Sequence, residues 1–194
     1  DAQVDAEAML AWLRERSRER TSLWAKRLAQ VEAQTFDFDA AADHARLAGA
    51  TAHSLGALPE AIEAYEVARG YCLGMLDRGQ RSAAARRLAE VAIGLVHCLE
   101  ALADDERASD RAREAIEELK IVEDLPDDDW FRLGVPLLHA WADAETRAGR
   151  GAGTITPLTQ QVEALVAADG PAAEAQRPYV RRALGDALRD SGDV

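Results

Sequence analysis

Residues 49–68 read GATAHSLGALPEAIEAYEVA, and this stretch decides the fold. Gly49 is followed seven residues later by Gly56, and Ala61, Tyr65 and Ala68 come next at steps of four and three. Side chains three and four residues apart share one face of a helix. Small residues on that face let two helices approach closely, and the tyrosine ring fills the remaining gap. The stretch therefore predicts a tightly packed pair of helices.

This spacing resembles the tetratricopeptide repeat (TPR). In that family a small residue in the first helix lets the second helix pack against it, and a glycine turns the chain between them. The segment ALGDALRDSGD, residues 183–193, repeats the seven-residue glycine spacing and is similar to the end of a first helix. The resemblance assigns repeat-packing roles to the following residues: Gly49, Gly56, Ala61, Tyr65, Ala68, Gly149, Gly185 and Gly192.

The turns at Gly56, Ala103, Gly149 and Gly192 lie 47, 46 and 43 residues apart. The usual period of the family is about 34 residues, so the chain looks like the long-helix variants of kinesin light chains and of bacterial signalling proteins. The resemblance implies an all-α fold of antiparallel helix pairs stacked as a right-handed superhelical array, or α-solenoid. We expect about three and a half repeats over residues 38–194, and a helical cap over residues 1–37.

The composition and the expected helix ends agree with an all-α fold. The chain is rich in the helix formers Ala, Leu, Glu and Arg and has no runs of alternating β-branched residues. Asp39 is the expected N-cap of the first repeat, and Pro136 should either kink its helix or mark the true start. Helices are predicted over residues 4–34, 40–55, 59–76, 82–103, 106–122, 129–148, 156–168 and 171–190.

The net charge of −12 argues against a nucleic-acid partner and favours a basic one. The sequence contains no apolar run long enough to span a membrane, so a membrane role is not predicted either. We expect a cytoplasmic protein. The chain stops at Val194, where the second helix of a fourth repeat should begin, and it starts with Asp1 rather than Met, so we expect the native protein to continue. The oligomeric state stays open.

The sequence signals neither catalysis nor a cofactor. None of the four histidines stands at a spacing typical of metal ligands, and there is no glycine-rich phosphate loop. Cys98 follows His97 directly, but adjacent helical residues point about 100° apart and cannot easily pair. We predict that Cys72 and Cys98 are buried thiols in the core. The chain is therefore not expected to be an enzyme, and no metal or cofactor is predicted.

The first helices of TPR-like repeats line a concave groove with one face each. The resemblance identifies which residues of this sequence would lie on that face. The name groove face is used here for the predicted partner-binding residues Arg46, His53, Glu90, His97, His139, Asp143, Arg182 and Asp186. Two readings of the three histidines stay open: a polar groove wall, or a peptide site whose affinity depends on pH. The peptide-carboxylate clamp of the family uses asparagines, and this chain has none.

The predicted function is therefore a protein- or peptide-interaction module, either an adaptor or the sensor segment of a larger signalling or regulatory protein. Its partner is a protein or peptide, and another domain of the same polypeptide fits equally well. Two alternatives remain: a ligand-sensing regulatory domain of a transcription factor, and a structural repeat segment that assembles with itself.

Overall fold

The computed structural model of the chain describes residues 23, 25–27, 29–30, 32–33, 37–122, 125–168 and 170–192. Within these residues the fold is all-helical and contains no strand. From residue 38 onward the helices are α1 (Phe38–Ser54), α2 (Leu58–Asp77), α3 (Arg81–Ala101), α4 (Asp105–Ile121), α5 (Asp127–Arg147), a short 3-10 helix (Gly151–Thr154), α6 (Ile155–Ala167) and α7 (Pro171–Ser191).

The helices from α1 to α7 begin and end within two residues of the predicted bounds, because the turn residues can be recognised in the sequence. Gly56, Ala103, Gly149 and Gly192 all have positive φ, between 55° and 79°. Left-handed backbone of this kind reverses the chain after a helix. The four turns that defined the 43–47-residue spacing therefore share one backbone conformation, although one of them is an alanine.

Two details of the helix ends differ from the prediction. The N-cap of α1 is Asp37 rather than Asp39: its carboxylate accepts a hydrogen bond from the backbone N–H of Ala40 at 3.2 Å. Asp39 lies in the first turn instead, beyond the capping position. Pro136 lies inside α5 and does not mark its start, because three aspartates from Asp127 to Asp129 already favour a helix N-terminus at residue 127.

The ring of Tyr65 on α2 lies against glycines of α1 and α3. The side chain is only 5% exposed, and an added Cβ at Gly49 of α1 would lie 3.0 Å from its ring. Gly94 of α3 lies against the same ring, close to its Cζ and Cε1 atoms. Ala61 and Ala68, on the same face of α2, are fully buried. One tyrosine of α2 thus spaces α1 from α3. At Gly185, by contrast, an added Cβ would meet no atom within 4 Å.

Each helix from α1 to α5 packs on the next one along the chain, and the short connections make such neighbours antiparallel. In addition α1 packs on α3, α3 on α5, and α5 on α7. On the other side, long side chains connect α2 to α4: Arg69 pairs with Glu118, and the guanidinium of Arg111 lies 2.8 Å from the carboxylate of Glu66. The odd-numbered helices are therefore in direct contact, and ion pairs connect α2 with α4.

The region after α5 departs from simple pairing. Helix α6 packs mainly on α7 and contacts α5 through fewer residues, among them Trp130, whose Nε1 donates to Gln161 Oε1 at 3.1 Å. Arg177 of α7 donates to the carbonyl oxygens of Leu165 and Ala168, at 2.9 and 2.8 Å, and so caps α6. The 3-10 helix that connects α5 to α6 itself packs on both α5 and α7.

The predicted cap over residues 1–37 falls largely outside the described residues, and Trp12 and Trp24 are among those left out. Of residues 23–33, the described ones are helical. Ala25 is buried with Ala48 and Ala64, and the ammonium of Lys26 lies 3.3 Å from the carboxylate of Glu63. This described part of the cap therefore packs against α1 and α2.

Candidate functional site

The residues of the groove face lie on α1, α3, α5 and α7, the helices that pack directly on one another. Two of its members meet across helices: Nε of Arg46 on α1 is 3.4 Å from Oε2 of Glu90 on α3. The side-by-side packing of the odd-numbered helices thus brings distant stretches of sequence onto one wall. The end of this wall formed by α1 and α3 differs in chemical character from the end formed by α3, α5 and α7.

At the α1–α3 end, ion pairs fill the wall. Arg87 of α3 reaches two carboxylates of α1, Asp43 at 2.8 Å and Asp39 at 3.2 Å, and Arg46 donates to Asp43 at 2.9 Å. Partial burial raises the pKa of Asp43, but the hydrogen bond from Arg46 and the charges of Arg87 and Arg46 outweigh it and leave the pKa below its usual value. These side chains are committed to one another, so this end of the wall offers little to a ligand.

At the other end, α3, α5 and α7 enclose a cavity of about 520 Å³, called here the α3–α5–α7 cavity. Three predicted residues converge on it: His97 from α3, and His139 and Asp143 from α5. The walls combine apolar and polar groups, as ligand sites do. The remaining lining residues are Ile93, Glu100, Pro136, Ala140, Arg147, Gln176 and Tyr179.

His139 and Asp143 form a pair one helical turn apart. Nδ1 of His139 lies 3.3 Å from Oδ2 of Asp143. Burial raises the pKa of Asp143, and the nearby carboxylates of Glu100 and Asp186 raise it further, against the opposing effects of His139 and Arg147. Among the described residues, the imidazole of His139 is the one basic group within 4.0 Å of the Asp143 carboxylate.

Arg147 also lines the cavity, but other carboxylates hold its guanidinium. Its Nη2 donates to Glu100 of α3 at 2.6 Å, and its Nε donates to Asp105 of α4 at 2.7 Å. Hydrogen bonds to ionised groups are the strong ones, and two of them fix the orientation of the guanidinium. Arg147 therefore connects α3, α4 and α5 and leaves Asp143 to its histidine.

Tyr179 of α7 forms the outer rim of the cavity. Its side chain is 58% exposed, and its ring meets the imidazole of His139 edge to face at a centroid distance of 6.4 Å. An exposed aromatic ring beside a cavity is a surface on which a ligand can stack. The rim thus adds an aromatic surface that the groove face did not include.

The other groove-face residues lie outside this cavity. His53 lies in the last turn of α1. Asp186 of α7 lines a second, adjacent cavity of about 350 Å³ together with Asp143. Arg182 projects into solvent with 81% of its side chain exposed, 3.8 Å from Asp186. The structure therefore brings His97, His139 and Asp143 together and leaves His53 and Arg182 apart from them.

Sequence reasoning missed Glu100, Arg147 and Tyr179, although the helical period could have found them. Glu100 lies three residues after His97, and Arg147 lies four residues after Asp143. Tyr179 lies three residues before Arg182. Extending each face by one turn in either direction would have included all three.

The two cysteines are free and buried, as predicted, and burial raises the pKa of Cys98 to about 11 and of Cys72 to about 12. His97, by contrast, is exposed, so the adjacent pair faces two different environments. In the part of the chain that the structure describes, no cluster of three His, Cys, Asp or Glu side chains is arranged to hold a metal ion. None of the helices within the described ranges combines the length and apolar character needed to cross a membrane.

Comparison with known proteins adds no relative to this description. Neither family models, nor curated proteins, nor solved structures gave a match to this chain.

Proposed function

We propose that this chain is a protein-interaction module that holds a segment of another polypeptide against the groove face. The observation that carries the proposal is the α3–α5–α7 cavity, in which predicted residues from two helices meet beside an exposed aromatic rim. A bound segment would anchor one side chain in the cavity. Its backbone would run across the odd-numbered helices.

The proposal includes a TPR-like array. In such an array the first helices of successive pairs pack side by side and form the concave wall, while the second helices form the outer one. The direct contacts of α1, α3, α5 and α7 support this arrangement. The ion pairs that connect α2 to α4 support it from the outer side.

The chemistry of the lining favours binding over catalysis. A histidine held by an aspartate can activate a hydroxyl or thiol nucleophile. Among the described lining residues of the α3–α5–α7 cavity there is no Ser, Thr, Cys or Lys. The His139–Asp143 pair therefore has none of these four nucleophiles beside it, and its polar groups are available to orient a ligand.

The test is peptide display selection against three forms of the protein: wild type, Ala140→Trp and Ala164→Trp. Ala140 lines the cavity, so tryptophan there would fill it. Ala164 is an exposed position on α6 and provides the matched control. We expect peptides enriched on wild type to bind Ala164→Trp equally well and to lose binding to Ala140→Trp.

Circular dichroism must show that all three forms are equally helical. If Ala140→Trp is less helical, Tyr179→Ala replaces it, because Tyr179 is exposed on the rim and its removal leaves the core intact. Peptides that bind wild type and the folded cavity variants equally well would overturn the proposal.

A further inference from the structure

We propose that the α3–α5–α7 cavity takes the side chain of an arginine from the bound segment, with Asp143 as its counter-ion, and that acidification releases it. This inference rests on the proposed function and identifies the chemistry of the ligand and the condition for its release.

The first step is the state of Asp143. Its carboxylate is partly removed from water, and its described ion-pair partner within 4.0 Å is the imidazole of His139, which carries a positive charge only when protonated. The nearest fixed guanidinium, that of Arg147, donates instead to Glu100 and Asp105. A partly buried carboxylate without a permanent positive partner is less stable than a paired one. A cationic ligand group supplies that partner.

The second step is the choice of arginine. Its guanidinium is planar, always charged, and binds carboxylates through two parallel hydrogen bonds. It also stacks on aromatic rings, and the exposed ring of Tyr179 lies at the cavity rim. Ile93, Pro136 and Ala140 provide apolar wall for the methylene groups of the side chain. A guanidinium with an apolar stem therefore matches the walls better than an acidic or purely apolar side chain does.

The third step is the overall field. The chain carries a net charge of −12, and such a field raises the local concentration of cationic segments and speeds their association. Of the charged groups that line the cavity, two are carboxylates, those of Glu100 and Asp143, and one is the guanidinium of Arg147. Long-range and local charge thus favour the same kind of ligand.

Acidification changes the balance of charge in one direction. Protonation of His97 and His139 adds positive charge to the cavity, and protonation of Asp143 removes the counter-ion. Arg147 stays charged throughout. Because burial raises the pKa of Asp143, its carboxylate loses charge at a higher pH than an exposed aspartate does. The charged and titratable groups that line the two cavities around Asp143 are His97 and Glu100 from α3, His139 and Arg147 from α5, and Tyr179, Asp186, Arg189 and Asp190 from α7.

The experiment uses the full chain and two small probes, N-acetyl-arginine amide and its neutral isostere N-acetyl-citrulline amide. Chemical shifts in nuclear magnetic resonance spectra report binding at the imidazoles of His97 and His139. We expect the arginine probe to give saturable shifts at about pH 8, and its affinity to fall about tenfold or more by about pH 5. The citrulline probe should bind at least about tenfold more weakly than the arginine probe at the higher pH.

Asp143→Asn removes the proposed counter-ion and keeps the shape of the side chain, so it should weaken the arginine probe by about tenfold. Asp110→Asn is the control, because Asp110 is an exposed carboxylate of α4 outside the cavity lining, paired with Arg113. Circular dichroism at both pH values checks that the fold persists.

Equal shifts from the arginine and citrulline probes would overturn the inference, and so would an arginine affinity that Asp143→Asn or acid leaves unchanged. If neither probe perturbs the cavity while a display-selected peptide does, the inference is wrong and the proposed function stands. If selected peptides also bypass the cavity, both are wrong.

Discussion

The ring of Tyr65 lies so close to Gly94 that a Cβ atom built on the glycine would come within 2.5 Å of the ring atom Cζ. The two residues belong to α2 and α3. Close contact of this kind leaves no room for a methyl group unless the ring moves.

Gly94→Ala should therefore destabilise the fold by about 1–3 kcal/mol, because the buried ring of Tyr65 must shift within a packed core. Urea unfolding followed by circular dichroism measures the change. Gly70→Ala is the control: Gly70 lies within α2, where an added Cβ would meet no atom within 4 Å. It should gain about 0.5–1 kcal/mol, since alanine favours a helix interior more than glycine does. Equal stabilities of the two variants would contradict the packing described.

Ala103→Gly should stabilise the protein. Ala103 has a φ of 55°, a left-handed conformation in which an L side chain is strained. Relief of that strain exceeds the extra chain entropy lost by glycine, and the net gain should be about 0.5–1 kcal/mol. Ala164→Gly, within α6, should instead lose about 0.5–1 kcal/mol. Thermal unfolding of both variants is the measurement, and a lower melting temperature for Ala103→Gly would count against the turn geometry.

Cys72 and Cys98 should resist alkylation in the native protein. Both side chains are fully buried, and burial raises the pKa of Cys98 to about 11 and that of Cys72 to about 12. Alkylation requires an accessible thiolate. At about pH 8, iodoacetamide should therefore modify neither residue until denaturant is added. Mass spectrometry detects each modification, and rapid labelling of either native thiol would show that the core opens there.

Asp43→Asn should lower stability near neutral pH and have little effect in acid. The arginines around Asp43 outweigh the effect of burial and leave its pKa in the folded state below its usual value. A carboxylate with a lowered folded-state pKa contributes stability above its unfolded-state pKa and loses that contribution as the pH falls through the folded-state pKa. Solvent screens the pair, because 42% of the side chain is exposed, so the loss should stay below about 1 kcal/mol.

Urea unfolding across the acid range measures this difference between wild type and Asp43→Asn. Asp110→Asn serves as its control, since Asp110 is more exposed and pairs within its own helix. A difference that persists unchanged at the lowest pH would show that the carboxylate charge is not responsible.

Much of the fold could be predicted because the residues that end its helices act locally. Glycines with positive φ end helices, and the ends at Gly56, Gly149 and Gly192 were readable from residue type alone. The N-cap of α1 was assigned to the wrong aspartate because Asp37 and Asp39 both precede a helical pattern, and the sequence does not show which one lies at the capping position. The packing of α6 on α7 involves hydrogen bonds from Arg177 to the carbonyl oxygens of Leu165 and Ala168, and residue type alone does not indicate that an arginine makes these contacts.

The candidate site divides in the same way. The family resemblance selected His97, His139 and Asp143 for the groove face, and in the structure all three line one cavity. The positions of residues along the helices do not show which carboxylate each arginine binds. Arg147 donates its hydrogen bonds to Glu100 and Asp105, and the carboxylate of Asp143 is paired with His139 instead.

The residues that line the cavity belong to α3, α5 and α7, which are not consecutive helices of the chain. No two neighbouring helices therefore form the cavity by themselves. A ligand bound there would touch α3, α5 and α7 at once and would stabilise the contacts between pairs more than any pair alone. Occupancy would therefore make the unfolding of these three helices more cooperative, and unfolding of any one of them would release the ligand.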